Sequence, residues 1–195
     1  MNRSLLVLGR GDSPETDKSR RRVVTYALES GFEVQALDYH ELGQLHPFKQ
    51  EMVNILPFFP YAFWNQNCEV PEDTRLYGTS RKAYLTFQNF FLSIQEELGQ
   101  RLSGHTIVPV IPLDYAALDR DKLQTVRILQ REGVSTTETI AGGWADIRAQ
   151  VTPRRGVFIK CRYGAEGKGI TFIQSGRWLT NYKVEGGHLT NYGTY

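Results

Sequence analysis

The first 39 residues constrain the fold more than any other part of the sequence. An apolar run at 4–8 ends in a Gly-Arg-Gly loop, and Ser13-Pro14-Glu15 then supplies a helix N-cap, a proline for the first helical position and an early acid. Gly31 ends the predicted helix, and a second strand is predicted at 32–39. This order predicts a βαβ unit with a right-handed crossover and a parallel sheet.

The pattern between 42 and 114 is less regular. A short helix is predicted over Gln50 to Ile55, and Thr79 is placed to cap a long helix. A strand is predicted at 107–111, where Pro109 favours a sheet edge or a strand end. The long helix carries apolar residues spaced along one helical face, which are Ala83, Phe87, Phe90, Phe91, Ile94 and Leu98.

The most apolar stretch, 55–64, contains Pro57 and Pro60 and is about half as long as a membrane-spanning helix. We therefore predict no membrane segment. We interpret the stretch as a loop packed by its own aromatic side chains. The alternatives are a wall of a substrate pocket and a contact surface in a homodimer.

Charge and cysteine usage exclude several classes of protein. The 23 basic and 21 acidic residues give a net charge of +2, so there is no electrostatic reason to expect a nucleic-acid partner. The two cysteines and four histidines lack metal-binding spacing, and the N-terminus does not have the pattern of a signal peptide. We expect a cytoplasmic protein in a reducing compartment.

A change in pattern near residue 115 predicts two domains, 1–114 and 115–195. In the second, Asp119 or Asp121 opens a helix that Gly133 ends, and a short helix is predicted near 144–150. At the tail, Leu-Thr-Asn-Tyr occurs at 179–182 and again at 189–192, with a Gly-Gly pair between the copies. This spacing predicts a hairpin that turns on Gly186 and Gly187.

The segment from 152 to 174 carries the clearest chemical signal. A turn at 152–156 leads into a strand at 157–162, a glycine-rich loop at 163–169 and a returning strand at 170–174. Alternation along the first strand places Phe158, Lys160 and Arg162 on one face and Val157, Ile159 and Cys161 on the other.

The loop at 163–169 combines glycines with Lys168. Its glycines permit close backbone approach to an anion, so the loop suits a cover over phosphate groups, although a plain hairpin remains the alternative. It is not a Walker loop, because Gly169 follows Lys168 where a magnesium-binding Ser or Thr would stand.

Together with the upstream helix, this segment resembles the first nucleotide-binding lobe of the ATP-grasp superfamily. That family has an Asp-Lys pair at a helix start, a Gly-Val segment followed by threonine, and a strand lysine before a glycine-rich loop. The resemblance covers about 115–174. The residues that carry it are Asp121, Lys122, Gly133, Val134, Thr139, Lys160, Gly164, Gly167, Lys168 and Gly169.

The resemblance implies an α/β fold in which a pre-ATP-grasp domain at 1–114 precedes the small antiparallel α+β lobe at 115–195. It also implies that Lys122 and Lys160 contact ATP phosphates. The loop over the phosphates would consist of Gly164, Ala165, Glu166, Gly167, Lys168 and Gly169. The chain departs from the family at Ser135-Thr136-Thr137 and at Cys161, where the family has prolines.

The implied activity is that of an ADP-forming carboxylate-amine ligase, which activates a small carboxylate as an acylphosphate for attack by an amine. The family uses ATP and Mg2+, and its magnesium ligands would lie beyond residue 195. We therefore expect this chain to be the front part of a longer enzyme and to be inactive alone. The alternative from a different class is a non-catalytic nucleotide-binding or assembly module derived from such a protein.

The loop after the first strand suggests two further uses. Gly9-Arg10-Gly11 is similar to the start of a dinucleotide fingerprint, which would make the chain a fragment of a Rossmann-like oxidoreductase, but Pro14 stands where the third glycine belongs. Gly11, Asp12 and Ser13 at the helix N-terminus form a candidate site for the anionic group of a substrate. A simply capped helix is the other interpretation.

Overall fold

The structure, a computed structural model, describes residues 3–10, 14–68, 80–139, 142–163, 170–180, 182–185 and 188–191. It is mixed α/β, with a four-stranded parallel sheet, a separate three-stranded antiparallel sheet and a two-stranded hairpin. The chain divides into two compact units, the first being Met1–Cys68 with Leu85–Ala117 and the second Glu69–Tyr84 with Leu118–Tyr195. Within the described residues, no helix is long and apolar enough to cross a membrane.

The first half of the chain alternates strands and helices. In chain order its elements are β1 (Arg3–Leu8), α1 (Pro14–Glu29), β2 (Phe32–Leu37), β3 (Met52–Pro57), α2 (Tyr61–Asn67), α3 (Arg81–Arg101) and β4 (Thr106–Pro109). The sheet order is β2-β1-β3-β4, and all neighbouring strands are parallel. The predicted βαβ unit is confirmed, and β4 is an edge strand of this sheet as its proline indicated.

Both faces of the parallel sheet are buried around β1. On one face, Leu5 and Val7 pack in a cluster with Ala27 of α1. On the other face, Leu6 and Leu8 are fully buried. A strand that is covered on both faces has a continuous apolar sequence, so β1 could be predicted from the sequence.

The prediction of a helix over Gln50 to Ile55 is wrong, because β3 begins within this segment, at Met52. Its residues pair with β1 on one side and β4 on the other, and Val53 and Ile55 are fully buried. A short apolar run cannot be assigned to strand or helix by periodicity alone. The ladder hydrogen bonds to two neighbouring strands decide the conformation here.

Two boundaries also differ from the prediction. The second strand ends at Leu37 and not at Tyr39, because Asp38 and Glu41 form a capping box that starts a 3-10 helix over Tyr39–Gln44. Helix α3 is capped by Ser80, whose Oγ accepts a hydrogen bond from the Ala83 N–H at 3.1 Å. Thr79, the predicted cap, lies outside the described residues.

The aromatic stretch 55–64 comprises the end of β3, a loop at 58–60 and the first turn of α2, so its interpretation as a loop holds only for 58–60. Phe59 lies 5.7 Å from Trp64, measured between ring centroids, so the stretch does pack on its own aromatic side chains. Both rings also contact Phe87 of α3, at 5.4 and 4.8 Å. These rings form part of the interior of the first unit.

Replacing Tyr39 with phenylalanine is expected to destabilise the protein by about 1–2 kcal/mol. The Tyr39 side chain is buried, its hydroxyl donates to the Phe58 carbonyl at 2.6 Å, and burial raises its pKa well above the ordinary value. The variant removes this donor from the part-buried Phe58 carbonyl. The free energy of unfolding in urea measures the effect. Tyr26→Phe, at an exposed position of α1, is the control, and equal losses in both variants would contradict the argument.

The second half of the chain forms two helices and two antiparallel sheets. Its elements are α4 (Lys122–Arg131), α5 (Trp144–Gln150), β5 (Val157–Lys160), β6 (Ile170–Gln174), β7 (Arg177–Thr180), β8 (Tyr182–Glu185) and β9 (His188–Asn191). β6 lies between β5 and β7. The predicted lysine hairpin is confirmed as the β5–β6 pair, and its first strand ends at Lys160 and not at Arg162.

The predicted tail hairpin is also confirmed in its strand pairing. β8 and β9 are antiparallel, with Glu185 opposite His188 on either side of the glycine pair. Leu179 and Thr180, which the repeat placed in the tail hairpin, lie instead in β7, which pairs with β6 and extends the lysine hairpin to three strands. Asp121, and not Asp119, is the N-cap of α4.

Candidate functional site

Two lysines from distant parts of the sequence lie near the carboxyl end of β5. Lys122 is the first residue of α4, and its ammonium group donates to the Cys161 carbonyl at 3.1 Å. Lys160 is the last residue of β5 and precedes Cys161 directly. Partial burial lowers the pKa of Lys122, and the positive charges of Lys160 and Arg120 lower it further. We call Lys122 and Lys160 the lysine pair.

Backbone hydrogen bonding explains why these lysines converge. The Lys122 N–H donates to the Arg162 carbonyl at 3.0 Å, and Asp121 forms an isolated antiparallel bridge with Tyr163. The first turn of α4 is therefore joined to the residues that follow β5. Because Lys122 and Lys160 lie on the two joined segments, they are held near each other.

An ion pair between the buried Asp121 and the half-exposed Arg162 reinforces this junction. Asp121 is 3% exposed, and its two carboxylate oxygens accept hydrogen bonds from Arg162 Nε at 2.9 Å and Nη2 at 2.7 Å. One of these oxygens also accepts from the Gln124 N–H at 3.1 Å, which caps α4. This bidentate geometry is the strongest form of an arginine–carboxylate pair. The sequence showed a capping aspartate, but it contained no signal for a partner 41 residues later.

An aromatic pair lies against the same arginine. The Arg162 guanidinium carbon is 4.9 Å from the centre of the Tyr163 ring. Tyr163 in turn stacks on Tyr84, with centroids 5.2 Å apart and an interplanar angle of 24°. Both tyrosines belong to the second unit. Tyr163 begins the loop predicted at 163–169, but its stacking on Tyr84 was not predicted.

One face of the β5–β6–β7 sheet carries three large apolar side chains, two of which are exposed. Phe158 and Lys160 lie on this face of β5, Phe172 lies opposite Phe158 on β6, and Leu179 lies opposite Phe172 on β7. Phe158 is 64% exposed and Leu179 is 50% exposed. We call these four residues the open face. It places three apolar side chains on the same side of the sheet as Lys160.

Several predicted site residues lie outside the described part of the chain. These are the phosphate-loop residues Gly164, Ala165, Glu166, Gly167, Lys168 and Gly169, and the anion-site residues Gly11, Asp12 and Ser13. Among the other residues of the resemblance, Gly133 ends α4 with a φ of +74°, and the Val134 N–H donates back to the Leu129 carbonyl at 2.8 Å. Thr139 is exposed beyond this turn.

Asp121, the described carboxylate that adjoins Lys122, does not fit a magnesium site. Both oxygens of Asp121 are engaged by Arg162, and one also accepts from the helix backbone, so Asp121 cannot ligate a metal while this pair persists. In the described ranges, no group of three or more His, Cys, Asp or Glu side chains is arranged to hold a metal ion.

The Asp121 carboxyl predicts an acid-dependent loss of stability. Burial opposes ionisation of this group, but hydrogen bonds from Arg162 and the helix backbone outweigh burial and lower its pKa below the usual 3.8. A depressed pKa contributes stability that is present above the unfolded-state value and is lost as the pH falls through the folded-state value. Stability should therefore decline below about pH 4.

The measurement is the urea midpoint between pH 7 and pH 2.5 for the wild type and for Asp121→Asn, which keeps a capping side chain. The wild type should lose more stability across the acid range than the variant. Asp119→Asn, a neighbouring exposed position, should behave as the wild type does. Parallel curves for the wild type and Asp121→Asn would contradict the assignment.

Comparisons of the chain with protein-family models, with curated proteins and with solved structures found no match to any of them. The fold and the geometry of the lysine pair are therefore the basis for the functional argument.

Proposed function

We propose that this chain supplies the ATP phosphate-binding portion of an ADP-forming carboxylate-amine ligase of the ATP-grasp type. The observation that carries the proposal is the lysine pair, in which the Lys122 ammonium group lies on the Cys161 carbonyl beside Lys160. Two like charges held at one strand end repel each other. A polyphosphate that contacts both would relieve this repulsion and form charge-assisted hydrogen bonds.

The open face favours a nucleotide over a simple polyphosphate as the ligand. An adenine ring is apolar on its two faces, and Phe158, Phe172 and Leu179 offer an apolar surface on the same side of the sheet as Lys160. The triphosphate would lie toward the strand end, where the lysine pair is. Residues 164–169, which follow in the sequence, are proposed to cover it.

In the proposed reaction, a carboxylate oxygen of the substrate attacks the γ-phosphorus of ATP, and the bond to the β-phosphate oxygen breaks to release ADP. The amine substrate then attacks the acyl carbon and displaces inorganic phosphate. The lysine pair would orient the phosphates and offset the negative charge that develops on the transferred group.

Magnesium supplies charge neutralisation in phosphoryl transfer, and the described residues do not fit that role. Asp121, the carboxylate nearest in sequence to the lysine pair, is committed to Arg162. The proposal therefore requires magnesium ligands from outside the described residues, and it assigns no step to this chain's carboxylates.

The test is calorimetric titration of the full chain with Mg-ATP, Mg-ADP and AMP. Because the lysine pair recognises the outer phosphates, ATP and ADP should bind and AMP should bind at least about tenfold more weakly, which corresponds to roughly 1.4 kcal/mol. No heat of binding with any nucleotide, or equal affinity for AMP and ATP, would refute the proposal. ADP release by this chain in the presence of carboxylates and amines would contradict the expectation that it is inactive alone.

A further inference from the structure

The arginine at the base of the lysine pair is bound twice to the first turn of α4. Its guanidinium group makes both hydrogen bonds to the Asp121 carboxylate, and its backbone carbonyl accepts from the Lys122 N–H. Cys161, the preceding residue, carries the carbonyl that holds the Lys122 ammonium group. The position of that carbonyl therefore depends on how Arg162 is anchored.

The guanidinium group is restrained from a second direction as well. It lies over the ring of Tyr163, and that ring stacks on Tyr84. A planar guanidinium can satisfy a bidentate carboxylate and an aromatic face at once, whereas an ammonium group cannot. The arrangement consequently selects arginine for its shape and not for its charge alone.

We infer that Arg162 is a positioning residue for the lysine pair, holding Lys122 beside Lys160 through Asp121 and the Cys161 carbonyl without itself contacting the nucleotide. This inference rests on the proposed function. The mutual repulsion of Lys122 and Lys160 favours separation of the two segments that carry them. The Asp121–Arg162 pair and the Lys122–Arg162 backbone hydrogen bond oppose that separation.

The test is a double-mutant cycle on Mg-ATP affinity, using the full chain. Arg162→Gln should weaken binding about tenfold, because it releases the Cys161 carbonyl and with it Lys122. In a Lys122→Met background the same change should weaken binding by less than about threefold, because the lysine that Arg162 positions is already gone. A purely structural role or a direct contact of Arg162 with nucleotide would instead give additive effects.

A second variant separates shape from charge. Arg162→Lys keeps the positive charge but loses the bidentate pair, so it should weaken Mg-ATP binding nearly as much as Arg162→Gln. Arg131→Gln, at an exposed position at the end of α4, is the matched control and should leave the affinity for Mg-ATP unchanged. Far-UV circular dichroism and the melting temperature show whether each variant is folded. If Arg162→Gln does not fold, the affinity of Arg162→Lys is the test.

The outcomes distinguish this inference from the proposed function. Wild-type affinity in Arg162→Lys, or additive losses in the cycle, would overturn the positioning role while leaving nucleotide binding in place. Absence of Mg-ATP binding by the wild-type chain would overturn the proposed function, and the positioning role with it.

Discussion

Gly9→Ala is expected to destabilise the protein by about 3 kcal/mol or more. Gly9 follows β1 with a φ of +104°, a conformation that residues with a Cβ adopt only with strain. A Cβ at this position would lie 3.1 Å from both Phe58 Cβ and the Tyr39 ring, and 3.2 Å from the Phe58 carbonyl oxygen. Because Tyr39 is buried and Phe58 is bonded to β1 through its N–H, neither neighbour can move freely.

Gly31 provides a matched control for the Gly9 prediction. Its φ is +80°, but a Cβ there would meet nothing within 4 Å, so Gly31→Ala tests strain without crowding. The free energy of unfolding of this variant should fall by only about 1 kcal/mol. Urea denaturation of the two variants measures the difference. Equal losses would show that crowding at the end of β1 is unimportant.

Lys160→Met and Lys122→Met are each expected to weaken Mg-ATP binding by roughly thirtyfold, the effect of losing about 2 kcal/mol of charge-assisted hydrogen bonding. Methionine keeps much of the aliphatic length of lysine, so packing changes little while the cation is removed. Both variants should fold as the wild type does, because Lys160 is exposed and Lys122 is only partly buried.

Calorimetry with Mg-ATP measures this loss, and Lys18→Met provides the control. Lys18 lies on the exposed side of α1 in the first unit, so its removal should leave the affinity unchanged. A comparable loss in Lys18→Met would mean that general charge, and not the lysine pair, attracts the nucleotide. Undiminished affinity in both site variants would remove the basis of the proposed site.

Strong local signals made much of the fold predictable. The first βαβ unit was visible because Pro14 and Gly31 bracket α1 and because β1 is apolar along its whole length. Helix α3 was visible because its buried residues, among them Phe87 and Leu98, recur at helical spacing. The lysine hairpin was visible because β5 alternates between exposed and half-buried residues.

Features that depend on partners distant in sequence were not predictable. β3 is fixed by pairing with β1 and β4, and its short apolar run gave no indication of them. Gly156 was assigned to a turn, whereas a Cβ there would lie 2.2 Å from the end of the Phe172 ring, so the glycine makes room for that side chain.

The residues of the candidate site also fall into two groups, those that local patterns predicted and those that depend on distant partners. The lysines and the capping Asp121 were found from local patterns and from the ATP-grasp resemblance. The Asp121–Arg162 pair and the Tyr84–Tyr163 stack were not found, because each joins segments whose proximity is created by the fold. The residues that were missed are the ones that hold the lysine pair in place.

Protection of Lys122 and Lys160 from chemical modification tests whether the lysine pair binds the nucleotide phosphates. The full chain would be modified with a small amine-reactive reagent in the presence and absence of saturating Mg-ATP, and the rate at each lysine would be read by peptide mass spectrometry. Modification of Lys122 and Lys160 should slow several-fold with nucleotide, while Lys18 and Lys49 react at unchanged rates. If Lys122 and Lys160 react equally fast in both conditions while Mg-ATP is bound, the nucleotide binds elsewhere and the account is wrong.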